Sequence, residues 1–265
     1  MTAAPGRLEI AGTPLGGRPD RPLLLLGPSL GTTAEALWGE CARRLGDRFH
    51  IVGWDLPGHG RSAPAPRGFG VAGLAAAVLD LAERIRPDEP VWYAGDSIGG
   101  AVGLQLLLDA PGRVPAAVLL CTGARIGEPA AWHARAAAVR AEGLGPLADG
   151  AAARWFSPGF AERDPGTAGA LVAALRAADP GSYAQACEAL AGFDARHRLA
   201  GIGAPVLAVA GADDAVTPPE LLSQLARGVR RGRLHVLDRA AHQAPAERPG
   251  AVAALIAEHL GERGG

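Results

Sequence analysis

Apolar residues fall into two periods along the chain. Short runs that are apolar at every position, Leu23-Leu24-Leu25-Leu26, Ile51-Val52-Gly53-Trp54, Val91-Trp92-Tyr93-Ala94, Ala117-Val118-Leu119-Leu120 and Val206-Leu207-Ala208-Val209, alternate with longer stretches of helical spacing at 34–45, 71–86 and 97–110. A strand with no polar face has to be covered on both sides, which is the situation of a parallel sheet packed between helices. The alternation predicts βαβ units with right-handed crossovers, and so an α/β fold with a mostly parallel central sheet. Over 125–197 the alternation stops. Ala-rich helical stretches follow one another, broken at Gly143-Leu144-Gly145-Pro146, Ser157-Pro158-Gly159 and Asp179-Pro180-Gly181. The pattern predicts a helical cap inserted at 125–198, with 1–124 and 199–265 forming the core. The core resumes at Pro205, continues through a strand at 233–237 and closes with a helix at 249–260.

At 265 residues, 48% hydrophobic and 20% charged, the chain can bury the core of one large domain or of a domain with an insertion. A formal net charge of -1 and a pI near 6.7 offer no basic footprint, so neither nucleic acid nor an anionic membrane is expected as a partner. Residues 1–7 hold no apolar segment of signal-peptide length, and the Leu23 to Leu26 run is too short to span a bilayer, so the expected location is cytoplasmic. Cys41, Cys121 and Cys187 form no C-x-x-C pair and are expected as small buried hydrophobes, without a disulfide or a zinc site. The chain has no lysine, which rules out a Schiff-base lysine mechanism. No cofactor is called for.

The candidate chemistry starts at Gly95-Asp96-Ser97-Ile98-Gly99. This is G-x-S-x-G in the context that gives it meaning, an apolar strand before it and a helix after it. A serine at so tight a strand-to-helix turn is forced into a strained backbone, and side chains at the flanking glycines would collide with the neighbouring strand and helix. A serine that merely caps a helix would not need glycine on both sides. The arrangement exposes the Ser97 hydroxyl at the carboxyl end of the sheet and aims the Ile98 N–H, at a helix start, at developing negative charge.

Such a hydroxyl needs a base, and this architecture supplies it later in the chain in the order Ser, Asp, His. Among seven histidines, His242 lies in the loop after the last strand, where it would face Ser97. His235 and His259 sit inside elements, His50 is at the wrong end of the sheet, and His133 and His197 belong to the insertion. The acid is expected in Gly211-Ala212-Asp213-Asp214-Ala215-Val216-Thr217-Pro218. Either aspartate is at the correct end; Asp214 is favoured because it stands at the loop tip, with Asp213 making turn hydrogen bonds and Thr217-Pro218 opening the next helix. A second oxyanion donor is expected from Leu30 in Gly27-Pro28-Ser29-Leu30-Gly31-Thr32, where Ser29 is read as a turn residue. Asp55 and His59 in Asp55-Leu56-Pro57-Gly58-His59-Gly60-Arg61-Ser62 are read as structural. The reading predicts a serine hydrolase cleaving an ester or lactone. A non-catalytic ligand-binding protein of the same fold is the alternative from another class.

These motifs, with Ala241-His242-Gln243-Ala244-Pro245-Ala246-Glu247-Arg248-Pro249, resemble the α/β-hydrolase superfamily from end to end. Within it the chain most resembles the 3-oxoadipate enol-lactone hydrolases of the β-ketoadipate pathway of aromatic degradation. That likeness lies in Ser29-Leu30-Gly31-Thr32 followed by Trp38, in Asp109-Ala110-Pro111-Gly112-Arg113-Val114, and in Trp132 with Arg135. The resemblance implies a place for Trp132 and Arg135 in the substrate pocket and a small, carboxylate-bearing ester or lactone as substrate; a guanidinium can grip both oxygens of a carboxylate. A carboxylesterase or a carbon–carbon bond hydrolase on the same three residues is the alternative within the superfamily. Two positions depart from the family pattern: Asp96, read as a charge beside the nucleophile, and Ala244-Pro245 after the histidine.

Overall fold

The computed structural model describes residues 8–261; the reading of 1–7 as lacking a signal lies outside the described residues. Seven strands form one sheet in the order β1-β3-β2-β4-β5-β6-β7. They are β1 (Gly12–Gly16), β2 (Leu23–Gly27), β3 (His50–Trp54), β4 (Trp92–Asp96), β5 (Ala117–Leu120), β6 (Val206–Gly211) and β7 (Gly232–Leu237). All pair in parallel except β1, which runs antiparallel to β3. The five runs with no polar face became β2 to β6, and every residue of β2, β4, β5 and β6 is buried. The edge strand β1, Gly-Thr-Pro-Leu-Gly, has no apolar run and was not expected; its residues are mostly half-exposed or exposed.

Helices α1 (Ala34–Arg43), α2 (Val71–Ile85) and α3 (Ile98–Asp109) fall where the helical spacing predicts them. Between β5 and β6 comes the inserted helical segment: α4 (Pro129–Glu142), α5 (Gly145–Asp149), α6 (Ala151–Trp155), α7 (Phe160–Arg163), α8 (Pro165–Ala177) and α9 (Pro180–Ala191). The Asp179-Pro180-Gly181 break is a helix start, as is Asp164-Pro165-Gly166, which the sequence reading had not marked. The carboxylates of Asp164 and Asp179 accept the N–H groups of Thr167 and Ser182, and each following proline occupies the first helical position, where its missing N–H costs nothing. The core closes with α10 (Pro219–Gly228), α11 (Ala244–Glu247) and α12 (Pro249–Gly261). No helix of the described residues is long and apolar enough to cross a membrane.

The strand order turns back on itself between β2 and β4: the chain goes from β2 outward to β3 and then returns to the far side of β2. At such a switch point the connections leaving the two carboxyl ends diverge and open a crevice. Gly27 pairs with Gly95 there, so the loop after β2 and the turn after β4 leave the sheet side by side.

Candidate active site

Ser97 has φ 53° and ψ -116°, a conformation that side chains rarely adopt and that costs about 1–3 kcal/mol. The neighbours that hold it there are visible. Ser97 N–H donates to the Leu120 carbonyl at 2.9 Å, the Thr122 hydroxyl donates to the Ser97 carbonyl at 2.7 Å, and the Tyr93 hydroxyl donates to the Gly99 carbonyl at 2.7 Å. The flanking glycines are obligatory by space. A Cβ on Gly99 would lie 2.6 Å from the Gly27 carbonyl carbon, and one on Gly95 2.5 Å from that of Gly99.

The turn aims the hydroxyl at His242, whose Nε2 is 2.9 Å from Ser97 Oγ. On the other side of the ring, Nδ1 is 2.9 Å from Asp214 Oδ2. With Nδ1–H donating to the carboxylate, Nε2 is left to accept the serine proton. Ser97, Asp214 and His242 are 5%, 3% and 3% exposed, so little water competes for these bonds. Asp214 is fixed further by the Val216 and Thr217 N–H groups on Oδ1, at 2.8 and 3.0 Å, and by the Thr217 hydroxyl, which donates to Oδ2 at 2.6 Å. Burial pushes the Asp214 carboxyl up, but the His242 imidazole and the Thr217 bonds together outweigh it and hold the group below the usual carboxylate range.

Two details of the acid loop differ from expectation. Asp214 itself takes the turn hydrogen bonds, while exposed Asp213 contributes its backbone N–H to the Ala240 carbonyl at 2.9 Å. Thr217 does not open α10, because Pro218 is the cap and Pro219 the first helical residue, and this leaves the Thr217 side chain free to serve Asp214.

The loop after β2 lies against the Ser97 turn at Gly99. The Thr32 hydroxyl and N–H both donate to the Ser29 carbonyl, at 2.9 and 3.1 Å, and Gly31 takes φ 84°. The Trp38 indole donates to the Gly27 carbonyl at 2.9 Å, and the Gly99 N–H to the Pro28 carbonyl at 3.0 Å. Neither the Leu30 nor the Ile98 N–H donates to any other group of the described residues. Among the described residues no imidazole hydrogen-bonds to Ser29; its hydroxyl accepts from the Gln243 amide at 3.3 Å. In the following loop the Asp55 carboxylate accepts the Ala34 N–H at 2.8 Å and the Arg61 N–H at 3.0 Å, which pins the start of α1. Burial holds the His59 imidazole neutral, at a pKa of about 4.

Trp132 and Arg135 lie on α4, and no contact joins them to Ser97. The Arg135 guanidinium stands 4.8 Å from the centre of the Trp132 ring, and the Trp132 indole donates to the Ile126 carbonyl at 2.5 Å. Tyr183 lies between this pair and the loop after β2. Its ring stacks on His59 at 6.1 Å and overhangs Gly31, where a Cβ would be 3.4 Å from it. Burial pushes the Tyr183 hydroxyl up to about 12, against the opposing pull of the nearby Arg135 and Arg154 cations.

The charge expected at Asp96 is disfavoured by its surroundings. The residue is fully buried, and desolvation with the nearby Asp214 carboxylate drives it well above the usual carboxylate range, against an opposing pull from Cys121 and Ser29. Thr122, Thr217, Tyr183 and Glu247 escaped the sequence reading. Only Thr217 had a local signal, its spacing of three residues from Asp214. Among the described residues no group of three or more His, Cys, Asp or Glu could hold a metal ion.

Comparison with known proteins agrees with this geometry. Residues 23–255 match the model of the Alpha/beta hydrolase family. The chain is similar to 3-oxoadipate enol-lactonase 2 of Acinetobacter baylyi, 36% identical over 88% of this chain and 86% of that protein. It is also similar to a pimeloyl-[acyl-carrier protein] methyl ester esterase of Neisseria meningitidis, 33% identical over 75% of this chain and 78% of that one. Among solved structures, the enol-lactonase from Burkholderia xenovorans LB400 superposes with a TM-score of 0.90 at 30% identity, covering 95% of this chain and 96% of that one. A seven-stranded, mostly parallel sheet with an inserted helical segment, a serine on the turn after β4 and a family match across 23–255 make this chain a member of the alpha/beta hydrolase family.

Proposed function

We propose that the protein is a serine hydrolase that opens an ester or lactone through Ser97, His242 and Asp214, with a 3-oxoadipate enol-lactone as its substrate. The observation that carries this reading is the buried chain of bonds from Ser97 Oγ through the imidazole to Asp214, each 2.9 Å long. His242 takes the Ser97 proton as Oγ attacks the carbonyl carbon, and Asp214 stabilises the imidazolium that results. The Leu30 and Ile98 N–H groups receive the tetrahedral oxyanion. Collapse breaks the ring C–O bond. The leaving oxygen takes the proton from His242, and the enol so released becomes a ketone. Water, deprotonated by His242, then frees the acyl group from Ser97 as a carboxylate.

Residues 125–198 act in this reading as a cap over the crevice, with Trp132 and Arg135 in its substrate wall. The enol-lactonase relatives favour a substrate carrying a free carboxylate, and Arg135 next to Tyr183 supplies a cation one ring away from Gly31. The methyl ester esterase relatives favour a second reading, a carboxylesterase on the same three residues. Two experiments test these statements. A fluorophosphonate probe labels the native protein and not Ser97→Ala; equal labelling of both refutes the nucleophile. Turnover of a panel of enol-lactones, simple lactones and short acyl esters, repeated with Arg135→Ala, separates the substrates. The KM for a carboxylated lactone rises far more than that for a neutral p-nitrophenyl ester, and equal effects on both favour the carboxylesterase.

A further inference from the structure

The inserted helical segment and the His242 loop share one buried carboxylate. Glu247, the last residue of α11, accepts the Ala241 N–H on Oε1 at 2.8 Å and the Ser157 N–H on Oε2 at 2.7 Å. Ala241 immediately precedes His242, and Ser157 lies two residues beyond α6. A parallel set of bonds joins the same two segments: the Trp155 carbonyl accepts the His242 N–H at 3.0 Å and the Gln243 N–H at 3.3 Å. Three consecutive amides, 241 to 243, are therefore held by segment 155–157, two directly and one through Glu247. From the sheet side the loop rests on the end of β6, where a Cβ on Gly211 would meet the Ala240 and Ala241 carbonyls.

We propose that Glu247 is a positioning residue: its carboxylate clasps segment 155–157 to the His242 loop, so that seating of that segment and alignment of the imidazole on Ser97 are one event. The inference rests on the reading of His242 as the general base. Its physical basis is the count of acceptors. An ionised carboxylate offers acceptors on both oxygens, and two N–H groups from distant parts of the chain point at them. Glutamine has the same shape but one acceptor and one NH2 donor, so it must release either the Ser157 or the Ala241 amide.

The test is Glu247→Gln in the full chain, read by steady-state kinetics on p-nitrophenyl acetate and by backbone hydrogen exchange. A misplaced imidazole lowers kcat by about 10- to 100-fold, with KM within about twofold. Exchange accelerates together at 151–160 and at 239–247 and is unchanged in α8. Glu247→Asp, which keeps both acceptors on a shorter stem, recovers part of kcat. A kcat within about twofold of the native value, or faster exchange in one window with the other still protected, overturns the clasp. Should Glu247→Gln fail to fold, the native protein decides: Ser157 and Ala241 amides that share one opening equilibrium support the clasp, and protection differing by more than about tenfold refutes it. Exchange does not depend on activity. Coupled exchange in a protein that no fluorophosphonate labels would sink the hydrolase reading and leave the clasp standing.

Discussion

Gly99→Ala tests whether the Ser97 turn and the loop after β2, the proposed nucleophile and oxyanion segments, are held in place by close backbone contact. Residue 99 touches no substrate in the proposed mechanism, so its effect has to arise from displacement. An added Cβ would sit 2.6 Å from the Gly27 carbonyl carbon, 2.7 Å from the Pro28 carbonyl oxygen and 2.8 Å from that of Gly27, where ordinary contact begins at 3.4 Å. All three atoms are backbone and cannot rotate away, so β2 and the start of the oxyanion loop must recede by about 0.8 Å. The same shift strains the Gly99 N–H bond to Pro28 and carries Leu30 with it. Overpacking of this kind costs about 1–3 kcal/mol of stability, and at this chain length each kcal/mol lowers Tm by about 2–4 °C. Moving an oxyanion donor by that distance lowers kcat by about 100-fold. The assay pairs kcat on p-nitrophenyl acetate with Tm by calorimetry. Gly169→Ala serves as the control: Gly169 is exposed in α8, nothing lies within 4 Å of its Cβ position, and alanine there adds about 0.5–1 kcal/mol of helix propensity. Native kcat in Gly99→Ala, or equal changes in the two variants, refutes the reasoning.

Three further outcomes follow from the same geometry. Thr217→Val keeps the side-chain shape but removes the hydroxyl that donates to Asp214 Oδ2; a hydrogen bond to a charged group is worth about 1.5–3 kcal/mol, so kcat falls by about 10- to 150-fold, and unchanged kinetics would show that the two backbone N–H groups suffice. Asp96→Asn stabilises the protein at neutral pH. Because the folded state holds this carboxyl protonated above the pH at which the unfolded chain ionises it, the native protein loses up to about 1.4 kcal/mol per pH unit there, and the variant's gain disappears as pH falls below the ordinary aspartate value. Denaturant melts at several pH values check it, and a gain that does not vary with pH refutes it. His59 gives the opposite sign, since its folded value of about 4 lies below the ordinary 6.5: the stability it contributes is full above 6.5 and is lost as pH falls toward 4, by roughly 3 kcal/mol in total. His59→Gln should flatten that part of the pH–stability curve.

The strained turn at Ser97 was legible in the sequence because its requirements are local: an apolar strand, a helix and glycines at both positions where a Cβ would strike backbone. The central strands were legible for a related reason, since an all-apolar run has only one comfortable place in an α/β sheet. That His242, of seven histidines, would face Ser97 could be read because the order of elements fixes which loops reach the carboxyl end of the sheet. Other features depend on which groups meet across the fold. The sequence favoured Asp214 over Asp213 from its place at the loop tip, but that its buried carboxylate takes both the turn N–H groups and the imidazole depends on the backbone path of one tight turn. The edge strand β1 pairs with β3 through its backbone, an interaction to which its Gly- and Pro-containing sequence gives no clue. Glu247 and Ser157 are 90 positions apart and meet only because the inserted segment folds back onto the loop after β7. Asp96 shows the division most clearly. The sequence determined that a carboxyl follows Gly95, whereas tertiary packing decided that its charged form is disfavoured, because ionisation is governed by the water and charges around a group and the fold buries Asp96 beside the Asp214 carboxylate.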